Sequence, residues 1–164
     1  MGWGKHKTIP ALGSPAPSFQ LKNLDGVERS LAEMLAAGPV IAAFYKISCP
    51  VCQFTFPFLE RLHKGSGGDV QFNAVSQDNA ADSRRFNQEY GVSFGTLLDE
   101  ERAGYKASNA YGISKVPTVV LIEKDGTVSW SMEGFVKAEL EALGRRVGIN
   151  PFQPGEYVPE WTAG

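Results

Sequence analysis

Two cysteines constrain this chain more than anything else in it. They are the only two in 164 residues. They stand as Cys49-Pro50-Val51-Cys52, directly after the apolar run Val40-Ile41-Ala42-Ala43-Phe44-Tyr45 and directly before a helix-like stretch, Gln53 to Lys64. An apolar run that does not alternate reads as a strand covered on both faces. The short polar turn Lys46-Ile47-Ser48 then carries the chain from that strand onto a helix, with the thiols at the junction. Two cysteines at this spacing, on a strand-to-helix turn, describe a dithiol redox centre. The bland alternative is a pair of buried thiols packing as small hydrophobes. It is the weaker reading, because it leaves the shared turn and the spacing to accident.

Composition narrows the field. The length suggests one domain with a single core, covering residues 1–164 with an N-terminal arm over 1–12, a core over about 13–147 and a tail over 150–164. An apolar fraction of 43% and a charged fraction of 21% are ordinary for a globular protein. A net charge of −2 gives no electrostatic case for nucleic acid or an anionic membrane as a partner. No apolar run approaches the ~20 residues that span a bilayer. The stretch Met1 to Pro10 is basic without an apolar segment behind it, so it does not read as a signal peptide. That points to the cytoplasm, where a lone dithiol is catalytic more often than structural; an exported protein shorn of its leader reads the same way.

Along the chain, Ser18-Phe19-Gln20-Leu21-Lys22 alternates like a strand, and Asn23-Leu24-Asp25-Gly26 signals a tight turn. Ser30-Leu31-Ala32-Glu33 is a capping box that opens a helix to about Ala37, stopped by Gly38 and Pro39. Val70 to Val75 reads as a strand, and Ala80 to Tyr90 as a helix with Asn79 as cap and Gly91 as stop. Thr96 to Asp99 is a short extended piece, and Arg102 to Tyr111 a small helix. Val116-Pro117-Thr118-Val119-Val120-Leu121-Ile122 is the most strand-like run; Lys124-Asp125-Gly126 turns it into a second strand, Thr127 to Met132. Val136 to Arg146 has helical spacing and ends at Gly148. The bulk of Phe152, Tyr157 and Trp161 argues that the tail packs as a strap. The element order predicts an α/β fold: a mixed central sheet with early parallel strands, a late antiparallel hairpin, helices on both faces, and an N-terminal β-hairpin/helix extension.

With these pieces placed, the chain resembles the thioredoxin-like superfamily in its redoxin, AhpC/TSA-type branch. Four features carry the resemblance: Cys49-Pro50-Val51-Cys52 after a buried strand; Pro57, where the family's active-site helix kinks; Val116-Pro117-Thr118, where the family has a cis-proline facing the cysteines; and the hairpin Leu121-Ile122-Glu123-Lys124-Asp125-Gly126. Together they span about residues 13–147. The resemblance implies a thiol–disulfide oxidoreductase, acting on protein or small-molecule disulfides and drawing electrons from a reductase or another thiol. No organic cofactor and no metal are implied; the redox group is the Cys49–Cys52 disulfide. A helix N-terminus favours a thiolate, so Cys49, the more exposed sulfur, is the nucleophile and Cys52, one turn inside, resolves the mixed disulfide. Val116, Pro117, Thr118, Pro50 and Val51 form the substrate-facing wall. Lys46 is a candidate for tuning the nucleophile through its charge.

The departures from thioredoxin proper matter as much. Ser48 stands where thioredoxins have a tryptophan, and Ala43 where they have a buried aspartate that moves protons for the resolving thiol. A proton acceptor must come from elsewhere or from water; Glu123 is a carboxylate at a strand end, but a solvent-facing hairpin residue by position. The first rival is a peroxiredoxin-like peroxidase with Cys52 attacking peroxide. Cys49 then replaces the peroxide-positioning threonine and Pro117 the late-strand arginine, which argues against it. A copper-handling relative spaces its cysteines with three intervening residues and adds a histidine distant in the sequence. Here there are only His6 and His63, and His63 lies ~16 Å along the helix from Cys52. A non-catalytic binding module on the same fold is the remaining class.

Overall fold

The computed structural model describes residues 8–164. His6 and most of the N-terminal arm lie outside the described residues. Seven strands form one mixed sheet in the order β2-β1-β5-β4-β3-β6-β7. They are β1 Gln20–Asn23, β2 Glu28–Ser30, β3 Val40–Tyr45, β4 Gln71–Ser76, β5 Gly95–Leu98, β6 Thr118–Ile122 and β7 Val128–Glu133. Around the sheet lie α1 Leu31–Ala37, α2 Pro50–Gly65, α3 Ala80–Tyr90, α4 Lys106–Ala110 and α5 Lys137–Val147. A further pair, β8 Phe135–Val136 and β9 Trp161–Thr162, stands apart from the sheet.

β3 is the middle of this arrangement and explains its own composition. It runs parallel to β4, with Tyr45 opposite Ser76, and antiparallel to β6, with Phe44 opposite Thr118. Ile41, Ala43 and Tyr45 face a core shared with Phe56, Leu59 and Leu62 of α2 and Leu140 and Leu143 of α5. Val40, Ala42 and Phe44 face the other core, with Leu31 and Met34 of α1 and Tyr111. With both faces covered, apolar residues are required at successive positions. Each large apolar side chain so buried contributes about 1.5–3 kcal/mol.

The expected parallel order of the early strands holds for β3, β4 and β5 but not for β1, which runs antiparallel to β5. The reason is the tight turn. Gly26 adopts φ +79°, Asn23 Oδ1 accepts the Asp25 and Val27 amides, and the chain folds back into β2 rather than crossing over. The helix expected over 102–111 is also broken. Tyr105 takes a left-handed φ of 49° and separates a single 3-10 turn, Glu101–Ala103, from α4. The buried Asp99 carboxylate sets the start of α4 by accepting the amides of Ala107 at 3.0 Å and Ser108 at 2.7 Å. α5 begins and ends one residue later than its spacing suggested.

Candidate active site

The loops at the C-terminal ends of β3 and β4 and the loop entering β6 meet at one end of the sheet, and Cys49 sits among them. It is the N-cap of α2: its sulfur accepts the Cys52 amide at 3.2 Å, and Pro50 occupies the first helical turn, where a missing N–H costs nothing. The turn before it is braced from three sides. Cys49 N–H donates to the Lys46 carbonyl, Gln53 Nε2 donates to the Ile47 carbonyl at 2.9 Å, and Ile47 N–H donates to Asp78 Oδ2 at 2.9 Å. Pro57 lies inside α2, half-buried.

The two sulfurs differ sharply. Both are free thiols; Cys49 is half-buried, whereas Cys52 is completely buried. Burial pushes the Cys52 thiol far up, the hydrogen bond to Cys49 adds to this, the Lys46 backbone amide opposes it, and the charges of Cys49 and Asp78 raise it further. Cys52 is therefore a protonated thiol near neutral pH.

Across from Cys49 is the loop into β6. The Val116–Pro117 peptide is cis, and the Val116 carbonyl oxygen lies 3.5 Å from Cys49 Sγ. Val116 is half-buried and Pro117 buried. Thr118 does not belong to a substrate-facing wall: it is fully buried, and its hydroxyl donates to the Lys115 carbonyl at 2.8 Å, bracing the loop from inside. On the helix side Pro50 is exposed and Val51 half-buried. The Lys46 side chain is exposed; what this residue brings to the cysteines is main chain. Glu123 is at the far end of β6, engaged with Arg146 at 2.8 Å and with Ser129. His63 packs edge-on against Phe72 and Phe94, at the other end of α2 from the thiols.

Two residues enter that the sequence reasoning did not single out. Asp78 follows β4 and is held by the Ile47 amide, close enough for its charge to act on both Cys52 and Tyr45. Tyr45 ends β3 with a buried hydroxyl beside Ser76 and Ser83, whose own hydroxyls lie 2.7 Å apart. Burial holds the Tyr45 phenol up at about 12, and those serine hydroxyls offset part of the rise. The signal for Asp78 was positional. Parallel strands place the loops that follow them side by side at their carboxyl ends, and β3 and β4 are such a pair.

The sequence profile of the AhpC/TSA family matches residues 12–131. The chain belongs to the AhpC/TSA family. Within this AhpC/TSA protein, the matched span takes in the Cys49–Cys52 turn and Val116–Pro117. It is 29% identical over 136 residues to the thiol-disulfide oxidoreductase ResA of Geobacillus thermodenitrificans, covering 81% of this chain and 75% of that one. It is 31% identical over 126 residues to the ResA of Halalkalibacterium halodurans, covering 74% and 68%. In fold it is similar to the thioredoxin domain of a thiol-disulfide oxidoreductase from Bacteroides vulgatus, with a TM-score of 0.73 at 20% identity over 85% of this chain and 99% of that one. The AhpC/TSA protein has a thioredoxin-like fold and is a thiol–disulfide oxidoreductase.

Proposed function

We propose that Cys49 is the attacking thiolate, Cys52 the resolving thiol and Asp78 the group that takes the Cys52 proton. The observation that carries this reading is the asymmetry of the pair: a half-buried sulfur capping a helix, and a fully buried one a turn behind it. The Cys49 thiolate attacks one sulfur of a substrate disulfide. That S–S bond breaks, the departing substrate sulfur leaves as thiolate and takes up a proton, and a mixed disulfide remains. Cys52 then gives its proton to Asp78 and attacks the Cys49 sulfur; the Cys49–substrate S–S bond breaks, the second substrate sulfur leaves as thiolate and takes up a proton, and the Cys49–Cys52 disulfide closes. Two electrons have passed to the substrate, and a partner dithiol restores the reduced pair. Substrates are disulfides of proteins or small molecules, the partner is a reductase or a thiol donor, and the exchange uses no cofactor beyond the cysteines. Val116 supplies the main-chain edge next to the nucleophile.

The geometry counts against the peroxidase reading. A cysteine that attacks peroxide must be an accessible thiolate, and Cys52 is inaccessible and held protonated. In an insulin-reduction assay Cys49→Ala is expected to abolish turnover, while Cys52→Ala accumulates mixed disulfides. The wild-type pair is expected to titrate as one two-electron couple within about −120 to −270 mV, the span of thioredoxin-fold catalysts. Full turnover by Cys49→Ala would overturn the assignment.

A further inference from the structure

Beyond α5 the chain does not leave the molecule. Ile149 and Pro151 cross α5 at Gly144, where a Cβ would stand 2.3 Å from the Ile149 carbonyl oxygen and 2.8 Å from Pro151 Cδ. Phe152 sets its ring edge-on against Phe58 of α2, at 5.2 Å between centroids. Arg61 of α2 grips Glu156 through two bonds of 2.8 and 2.7 Å and donates a third, at 2.9 Å, to the Pro151 carbonyl. This is a firm anchor over residues 149–156.

The last residues of the chain are more lightly held and go to a particular place. The Lys137 amide donates to the Glu160 carbonyl at 2.9 Å, and β9 pairs with β8, Trp161 opposite Val136 and Thr162 opposite Phe135. The chain then passes over Gly134 so closely that a Cβ there would lie 2.7 Å from the Thr162 oxygen and 3.0 Å from the Gly164 nitrogen. A Cβ on Gly164 would lie 2.5 Å from the Val116 carbonyl oxygen. That oxygen is the one 3.5 Å from Cys49 Sγ. Gly134 itself donates its amide to the Pro117 carbonyl at 2.8 Å. Glycines on both sides thus let this segment settle on the main chain around Val116–Pro117, beside the nucleophile.

We propose that residues 159–164 are a built-in strap over the substrate edge, sorting disulfides by size. The proposal rests on Val116 being the edge along which an extended polypeptide substrate pairs. A small disulfide needs only the Cys49 sulfur and reacts with the strap in place. A polypeptide disulfide needs the Val116 main chain as well and must first displace the strap. The light attachment of 159–164, with Trp161 64% exposed, makes this a local opening that leaves the 149–156 anchor docked.

The test has two arms. In the first, kcat/KM is measured for insulin and for hydroxyethyl disulfide in the full chain, in a variant ending after residue 158, and in Gly164→Val, which unseats the strap without removing it. Both variants are expected to gain about tenfold on insulin and to stay within twofold on the small disulfide. An unchanged ratio of the two substrates in both variants overturns the strap. In the second arm, Cys52→Ala is trapped as a mixed disulfide with a cysteine-containing peptide or with 2-mercaptoethanol, and exchange of the Lys137 amide is followed. Loss of protection is expected with the peptide only; protection kept in both adducts overturns the proposal. If Cys52→Ala forms neither adduct, the assignment of Cys49 as nucleophile has failed instead, and the strap proposal falls with it.

Discussion

The sharpest consequence of the site is a difference in alkylation rate between two sulfurs three residues apart. Only the thiolate reacts with iodoacetamide. A free cysteine of pKa about 8.5 is roughly one-quarter ionised at pH 8. Burial as complete as that of Cys52, which has no exposed surface, suppresses the ionised form by up to about 10³–10⁵-fold, and the hydrogen bond to Cys49 and the charges of Cys49 and Asp78 act in the same direction. Cys49 is half-buried and has the Cys52 amide on its sulfur. Reduced protein at pH 8 is therefore expected to take up one equivalent of iodoacetamide at Cys49, with Cys52 about 10³-fold slower, read by peptide mass spectrometry against time. Denaturant should erase the difference, because the cause is burial. The single variants give the control: Cys52→Ser should label at the wild-type rate and Cys49→Ser scarcely at all. Comparable labelling of Cys52 in the folded, unmodified protein would refute the asymmetry and reopen the peroxidase assignment.

The proposed proton acceptor and the anchor of the tail each give a further expectation. Asp78→Asn keeps an oxygen for the Ile47 amide but removes the charge, so melting temperature should hold while resolution of a trapped mixed disulfide slows about tenfold to a hundredfold; Asp78→Glu should recover part of the rate, and an unchanged pH–rate profile in Asp78→Asn would exclude the role. The Arg61 hydrogen bonds, with the Gln153 amide, pull the Glu156 carboxyl down to about 2. Its contribution to docking the 149–156 anchor is thus complete above the ordinary carboxylate range near 4.3 and is lost as pH falls from there toward 2. Amide exchange over 150–158 should rise across that window in the wild type and not in Arg61→Gln.

The features readable beforehand were those whose local chemistry has few solutions. Asn79 caps α3 by accepting the Asp82 amide at 2.8 Å, and Gly91 ends it with φ +68°. The capping box at Ser30 is only half formed. Ser30 accepts the Glu33 amide at 3.1 Å, but the Glu33 carboxylate is taken by Arg29 at 2.9 Å instead of reaching back. Spacing shows that a box is available, not that a nearby cation competes for its acid. The tail is expected from sequence to pack through three aromatic residues, of which only Phe152 does; Tyr157 and Trp161 are 87% and 64% exposed. The tail is held by a long-range ion pair, close glycine contacts and a two-residue strand pair, and none of these leaves a period in the sequence. The same holds for Asp78, whose partners are distant in sequence, Ile47 at 31 residues and Cys52 at the start of α2.

Placing the proposed proton acceptor at the end of β4 and not on β3 has a physical logic. Ala43 has no exposed surface, and it lies between Ala74 of β4 and Val119 of β6 in the sheet. A carboxylate there would be desolvated on every side and, without a partner, would cost several kcal/mol or keep its proton. Asp78 avoids that cost. It is half-buried, it accepts a backbone amide that also fixes the cysteine turn, and it still acts on Cys52. In the proposed mechanism one carboxylate thereby shapes the turn that presents Cys49 and takes the proton of Cys52. The two duties make different demands on it. Asparagine meets the first and fails the second, so a variant with an intact Cys49 labelling rate and a slow Cys52 would separate them.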